Sequence, residues 1–416
     1  MGVTMTDRRE SDPDETIAST TPTELKDRID GGEGVFILDA RSEGDFEEWH
    51  IDGENVEIVN RPYFQLLDGV PEELQAELPD DRRVTVLCVK GGSSELVAER
   101  LDEEGYDVDH LERGMKGWAG IYEYQELDVD VREPRSDSIA AQNAKGSGGR
   151  RATIAQYRRP SSGCLAYLVV SDGEAAVIDP LRAFTDEYVQ DARALGADLI
   201  YALDTHIHAD HISGIRDLAD DTGATAALPD AAVQRGVDYE QPYETVAGGD
   251  TLSVGDIEIE VIPTPGHTTG MTAYKVGDVL FTGDGLFTES VARPDLEDPE
   301  AAGDAARTLY ESLQERVLTL PEDTVVAPAH FGDSATPNDG GTYTAKLGDL
   351  VERMDALTME EDEFVEFVVD DMPPRPANYE EIIATNLGRQ DPDDEAAFEL
   401  ELGPNNCAAS EGALTN

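Results

Sequence analysis

The chain is short of lysine and cysteine and has no long apolar run. Only six of its 31 basic residues are lysines, against 90 Asp and Glu, which leaves a formal net charge of −59. Binding nucleic acid takes a basic face that displaces counterions, so no nucleic-acid partner is expected, and no anionic membrane surface either. No segment approaches the run of about 18 apolar residues that marks a transmembrane helix. The N-terminus, Met1-Gly-Val-Thr-Met-Thr-Asp-Arg-Arg-Glu10, has no apolar signal core, so a cytoplasmic location is expected. Three cysteines, Cys88, Cys164 and Cys407, are too few and too scattered for a disulfide framework.

Acidity on this scale in a chain without apolar segments would mean disorder. Here the acids are interleaved with runs such as Val84-Thr-Val-Leu87 and Ala194-Leu-Gly-Ala-Asp-Leu-Ile-Tyr201, and 39% of the residues are hydrophobic. The pattern is that of a folded protein with an acidic surface, soluble where salt screens charge, and it implies a halophilic, archaeal source. A length of 416 residues favours two domains.

Residues 1–18 read as a polar leader. Over 20–125 short strands (Val35–Asp39, Val84–Cys88) alternate with helices (Ser93–Glu104), the signature of an α/β domain with a mostly parallel sheet. Residues 126–151, with Gln142-Asn-Ala-Lys-Gly-Ser-Gly-Gly-Arg-Arg151, read as a linker. Residues 152–390 form a second, α+β domain. Its expected strands include Leu165–Val170, Ala175–Asp179, Leu199–Leu203, Ile257–Ile262, Thr272–Lys275, Val279–Thr282 and Thr324–Ala327, with helices near 184–194, 210–221 and 301–318. Residues 391–416 read as an acidic tail.

The chemistry concentrates in Thr205-His-Ile-His-Ala-Asp-His211. Imidazoles and carboxylates are the common ligands of first-row metals, and His206, His208, Asp210 and His211 follow directly on a buried strand. Asp210 and His211 are expected to open the next helix. The arrangement of strand, short turn and ligand recurs at His267 in Pro263-Thr-Pro-Gly-His-Thr268, at Asp284 in Thr282-Gly-Asp284 and at His330 in Ala327-Pro-Ala-His330. Four strand ends bearing ligand-type residues point to one metal site. Cys164, at the head of an apolar strand, reads as a packing residue.

The His-x-His-x-Asp-His motif resembles that of the metallo-β-lactamase superfamily, over roughly residues 152–375. The resemblance implies a four-layer αββα sandwich. It implies His206, His208 and His267 at a first metal, Asp210, His211 and His330 at a second, and Asp284 between them. One branch, the hydrolases of glyoxalase II type, uses two zinc ions to activate water. Another, the persulfide dioxygenases, uses one Fe(II), with the ligand set falling here on His206, His267 and Asp284. In that case His208, Asp210, His211 and His330 stand behind the metal, with Asp210 and His211 in catalytic support. The segments Gly285-Leu-Phe-Thr-Glu-Ser-Val-Ala-Arg-Pro-Asp-Leu296 and Pro373-Pro-Arg-Pro-Ala-Asn-Tyr-Glu-Glu-Ile-Ile-Ala-Thr-Asn386 are similar to the dioxygenase branch. Arg293 in the first of them is a candidate substrate-anion contact.

Residues 21–124 resemble a rhodanese domain, through Leu38-Asp-Ala-Arg-Ser42, Glu48-Trp-His-Ile-Asp-Gly53, Val86-Leu-Cys-Val-Lys-Gly-Gly-Ser-Ser94 and Gly114-Met-Lys-Gly-Trp118. The resemblance implies that Cys88 carries sulfane sulfur in a loop of backbone N–H groups. Ser93 stands where many rhodaneses have Arg. The expected partners are a small thiol persulfide and O₂, and a homodimer is compatible with the sequence.

Overall fold

The computed structural model describes residues 17–67, 69–129, 131–132, 151–332, 334–370, 372–403 and 408. The chain divides into two compact units, Met1–Ile121 and Tyr122–Asn416. Cys407, most of the expected leader and most of the expected linker lie outside the described residues.

The first unit is a parallel sheet in the order β1-β5-β4-β2-β3, formed by β1 (Ser19–Thr20), β2 (Val35–Asp39), β3 (Val56–Asn60), β4 (Val84–Leu87) and β5 (Val108–Leu111). β2 and β4 are buried at every position, as continuous apolar strands in a sheet covered on both faces should be. Successive side chains point to opposite faces. Phe36 and Leu38 accordingly pack with Val97 and Leu101 of the helix Gly92–Glu103. Val35 and Ile37 pack on the other side with Leu25 of the helix Pro22–Asp30. That helix starts with a reciprocal capping box between Thr21 and Glu24.

The second unit stacks two sheets. The first contains β6 (Glu123–Glu126), β7 (Val131–Arg132), β8 (Arg151–Arg159), β9 (Cys164–Ser171), β10 (Glu174–Ile178), β11 (Asp198–Leu203), β12 (Thr225–Pro229) and β13 (Glu244–Val246). Its order is β13-β12-β11-β10-β9-β8-β6, with β7 also on β8. The second runs in sequence order through β14 (Thr251–Val254), β15 (Ile257–Pro263), β16 (Thr272–Val276), β17 (Val279–Gly283), β18 (Val325–Pro328) and β19 (Ala345–Lys346). Between the sheets lie Tyr167, Ile178 and Leu203 from one and Val261, Tyr274 and Phe281 from the other. On the outer faces, Tyr188 and Leu218 of two helices cover the first sheet, and Leu309, Leu350 and Phe364 of three more cover the second. This is the four-layer αββα sandwich implied by the sequence. Among the described residues no helix is long and apolar enough to cross a membrane.

Three boundaries differ from the sequence reading. β6, expected to close the first domain, pairs with β8, and Leu127 and Val131 of the expected linker are buried between the two sheets. The helix expected over 210–221 begins only at Ile215. The backbone before it is already engaged: Ile212 N–H donates to Glu401, Ser213 N–H to Asn386 and Gly214 N–H to the Pro180 carbonyl. Helical hydrogen bonding therefore cannot start earlier. The expected acidic tail contains a helix, Asp394–Leu400, capped by the Asp393 carboxylate and anchored by buried Ala397.

Candidate metal centre

Four strand ends, drawn from both sheets, deliver the polar residues to one place. β11 leads into the loop carrying His206, His208, Asp210 and His211. β15 precedes His267, β17 precedes Asp284 and β18 precedes His330. All seven are buried. With buried Cys164, Asp179 and Asp204 they sort into three groups, in each of which the potential ligand atoms lie within 4.8 Å of one another: His206, His267 and Asp284; Asp179, Asp204 and His208; and Cys164, Asp210, His211 and His330.

In the first group the hydrogen bonds set the tautomers. His267 Nδ1 lies 2.8 Å from the Arg293 carbonyl oxygen, which can only accept, so Nδ1 carries the proton and Nε2 keeps its lone pair. The Thr205 hydroxyl donates to Asp179 at 3.0 Å and so accepts from His206 Nδ1, also at 3.0 Å, with the same result at His206 Nε2. Asp284 Oδ2 is 3.6 Å from both Nε2 atoms. His206 Nε2 and Asp284 Oδ2 are buried with no hydrogen-bond partner. Burial holds both imidazoles below their ordinary pKa, His206 far below, so they stay neutral and able to ligate. Burial would raise the Asp284 carboxyl. His330 and its hydrogen bond, with His206 and His267, nevertheless hold it below the usual carboxylate range. Two neutral imidazoles and a carboxylate with partnerless buried atoms fit one divalent cation.

His208 sits differently. Its Nε2 meets Asp179 Oδ1 at 3.1 Å and lies 3.8 Å from Asp204 Oδ1. Its Nδ1 is buried without a partner, 4.0 Å from Asp210 Oδ1. Asp179 also accepts from the Thr205 N–H at 2.7 Å, at a positive φ of 52° that holds its carboxylate against the loop. Burial pushes the Asp204 pKa up to about 6.

The third group is a hydrogen-bonded chain. Asp210 Oδ2 meets His211 Nδ1 at 2.9 Å and His330 Nε2 at 2.7 Å, and His330 Nδ1 meets Asp284 Oδ1 at 2.5 Å. Burial works against the charges on Asp210 and His211. Their mutual attraction, with that of His330, prevails and favours carboxylate and imidazolium. Cys164, expected to be a packing residue, donates from Sγ to Asp210 Oδ2 at 3.2 Å and belongs to this chain.

Arg293 does not present its guanidinium as the open anion contact expected from the sequence. It is 1% exposed and grips its own neighbour Asp295 through Nε and NH2, at 2.7 and 3.1 Å, while NH1 donates to the Pro374 carbonyl. Its contribution to the metal group is the carbonyl oxygen that orients His267. Two further residues hold the loop. Asn386 Nδ2 donates to the carbonyls of His208 and His211 at 3.0 and 2.8 Å, and its Oδ1 accepts from Ser213. Glu401 accepts from Ile212 N–H at 2.8 Å and pairs with buried Arg159 at 2.5 Å. Asn386 closes a segment already singled out in the sequence. Asp179, like the ligand candidates, is an acid at a strand end. Arg159 and Glu401 left no readable sign.

In the first unit Cys88 follows β4 and is 5% exposed. Its Sγ accepts from the Gly91 N–H at 3.1 Å and donates to the Ser94 hydroxyl at 3.4 Å. Gly91 has a φ of 99°, a turn that brings its N–H back onto the sulfur and that favours glycine. The helix Gly92–Glu103 starts at once and points its N-terminus at the loop. His50 is structural here, bonded to the Phe46 carbonyl and stacked on its ring.

The second unit is an αββα sandwich with imidazoles and carboxylates gathered at its strand ends in groups that could hold a metal ion, and the first is an α/β unit that cradles a cysteine. Residues 160–330 match the metallo-beta-lactamase superfamily model, and residues 21–121 match the rhodanese-like domain model. Human mitochondrial persulfide dioxygenase ETHE1 is 32% identical over 191 residues, covering 45% of this chain and 71% of that protein. A hydroxyacylglutathione hydrolase of Erythrobacter litoralis is 30% identical over 40% of this chain and 65% of its own length. A metallo-beta-lactamase structure from Staphylococcus aureus aligns with a TM-score of 0.51 and 26% identity over 58% of this chain and 73% of that chain. The chain belongs to the metallo-β-lactamase superfamily, is homologous to the persulfide dioxygenases, and carries a rhodanese domain at its N-terminal side.

Proposed function

We propose that this protein is an iron-dependent persulfide dioxygenase whose rhodanese domain handles sulfane sulfur. The carrying observation is the division of labour among the buried polar residues. His206, His267 and Asp284 point lone pairs at one another, while His330 spends both ring nitrogens on Asp210 and Asp284. That leaves one ligand set of two imidazoles and one carboxylate, the set suited to a single Fe(II) per chain. Fe(II) held by His206, His267 and Asp284 would supply the redox chemistry that joins O₂ to a substrate sulfur. The reaction takes a persulfide R–S–SH, one O₂ and one water to the thiol R–SH, sulfite and two protons. Homology to persulfide dioxygenases supports the substrate class.

The protein residues have separate tasks. Arg293, Thr205 and Asp179 fix the imidazole tautomers. His330 occupies Asp284 Oδ1, so that Oδ2 faces His206 and His267. Asp210 and His211 hold a carboxylate–imidazolium pair behind His330 and keep its Nε2 engaged. Cys88, cradled by Gly91 N–H and a helix N-terminus, takes the outer sulfur of a small persulfide or of thiosulfate, releasing thiol or sulfite, and passes it from its own persulfide to a thiol or sulfite acceptor.

Two observations favour a second reading, a dinuclear zinc thioester hydrolase. His208 Nδ1 is a partnerless buried nitrogen beside Asp210, and the Erythrobacter relative is named a hydrolase. Metal analysis of anaerobically purified protein, with O₂ uptake on a small-thiol persulfide in high salt, separates the two. One iron per chain and O₂ consumption are expected. Two zincs per chain with no O₂ uptake would overturn the dioxygenase.

A further inference from the structure

Cys164 has no task in the reaction as described, yet it is fully buried beside the metal group. Its carbon side belongs to the core under the first sheet, and its sulfur lies among polar atoms. Sγ donates to Asp210 Oδ2 at 3.2 Å and accepts from the Ser162 hydroxyl at 3.0 Å. The same Asp210 oxygen meets His330 Nε2 at 2.7 Å, and His330 Nδ1 meets Asp284 Oδ1 at 2.5 Å. Three successive hydrogen bonds thus run from the thiol to a ligand carboxylate through buried groups alone.

The backbone ties the same elements together. Cys164 and His330 form an isolated antiparallel bridge, Leu165 N–H donates to Ala329 at 2.7 Å, and Phe331 N–H donates to Gly163 at 3.0 Å. Gly163 has a φ of 74°, and a Cβ there would come within 2.2 Å of the Phe331 carbonyl oxygen, so no other residue allows this approach. The head of β9 is therefore pressed against the turn that carries His330, which holds the thiol beside Asp210, with His211 and His330 also next to it.

Asp284 has one oxygen bound by His330 and the other buried without a partner, 3.6 Å from His206 Nε2. Which oxygen faces the imidazoles depends on where His330 stands, and that depends on Asp210. We propose that Cys164 is a positioning residue: its S–H donation to Asp210 fixes, through His330, the presentation of Asp284 Oδ2 with His206 and His267. Outer hydrogen bonds of this kind typically change metal affinity or activity about 10–100-fold when lost. The inference rests on the ligand set proposed above.

The test uses the full chain loaded with cobalt(II), whose visible absorption reports ligand geometry, alongside steady-state kinetics of the iron form. Cys164→Ala removes the donor, whereas Cys164→Ser keeps an O–H in nearly the same place. The expected result is displaced cobalt bands and a kcat about tenfold lower at unchanged KM for the alanine variant, with serine restoring both toward wild type. Wild-type bands and kcat in Cys164→Ala would overturn the proposal. So would a serine variant that behaves like alanine, since that would assign the effect to the size of sulfur. Thermal unfolding of each variant shows whether it is folded, and the serine arm stays decisive if alanine is not. Cobalt bands that survive His206→Ala in the otherwise native chain would refute the ligand set itself, a failure distinct from the other two.

Discussion

His330 Nδ1 and Asp284 Oδ1 lie 2.5 Å apart, and the opposite nitrogen of the same ring is engaged by Asp210. An imidazole held between two carboxylates orients its neighbours and has no lone pair left for a metal. His330→Ala is therefore expected to leave the iron content at one per chain and to lower kcat by about 10–100-fold, the usual range for an outer hydrogen bond to a ligand. Metal analysis beside O₂ uptake checks this. A fall from two metals to one in the variant would place His330 among the ligands.

Asn386 satisfies two loop carbonyls and one loop N–H, all buried. Each buried group left without a partner costs about 1–3 kcal/mol. Asn386→Ala should destabilise the protein by roughly 3 kcal/mol or more, read as a lower denaturant midpoint. Asn386→Asp should do no better, because a carboxylate cannot donate to the carbonyls of His208 and His211.

Arg159 and Glu401 form an ion pair at 2.5 Å whose side chains are 0% and 2% exposed. Breaking one side of a buried pair strands the other charge, at a cost of about 3–5 kcal/mol. Glu401→Leu alone should destabilise by that much and loosen the loop at Ile212, which loses its acceptor. The double variant Arg159→Met with Glu401→Leu should recover part of the loss, because no charge is stranded. Chemical denaturation of the two singles and the double measures the coupling.

How far these residues could be read in the sequence depended on whether they are local. The candidate ligands can be picked out because each follows an apolar strand within a few residues, a pattern of period and punctuation that needs no partner. The four αββα layers followed from the same strands. Cys164 was misread because its local setting, the first residue of an apolar strand, suits packing. What gives it a polar role is Asp210, 46 residues on. The Arg159–Glu401 pair spans 242 residues, and the helix at 394–400 is hidden in a run of acids. Arg293 looked like an anion contact because its partner Asp295, two residues away, could not be told from any other surface acid before burial was known. The start of the helix at Ile215 was set by acceptors from distant segments, at Pro180, Asn386 and Glu401, and not by its own sequence.

Cys88→Ser should abolish sulfane sulfur transfer, because a hydroxyl cannot form the persulfide. Among the described residues the candidate metal group takes all its ligand atoms from the second unit, so O₂ uptake on a small persulfide supplied directly should be unaffected. Intact-mass analysis after exposure to a sulfur donor should show one added sulfur in the wild type and none in the variant. Undiminished transfer by the variant would rule out Cys88 as the carrier.

The net charge of −59 makes stability depend on screening. The Debye length falls from about 30 Å at 0.01 M salt to about 3 Å at 1 M, so repulsion among exposed acids is strong in dilute buffer and nearly gone in brine. One place isolates the effect. Asp102 lies in the last turn of the helix Gly92–Glu103 and Glu104 is its C-cap, both exposed, where the helix dipole is itself negative. Each anion there is unfavourable by about 0.3–1 kcal/mol at low ionic strength. Asp102→Asn with Glu104→Gln should therefore raise the melting temperature of the first unit in dilute buffer, while Glu103 keeps its pairing with Arg100. In about 1 M salt the same variant should melt with the wild type, since the repulsion it removes is already screened. Calorimetric melts of both proteins across a salt series check the sign and the convergence. A gain that persists undiminished in high salt would trace the effect to helix propensity and not to charge.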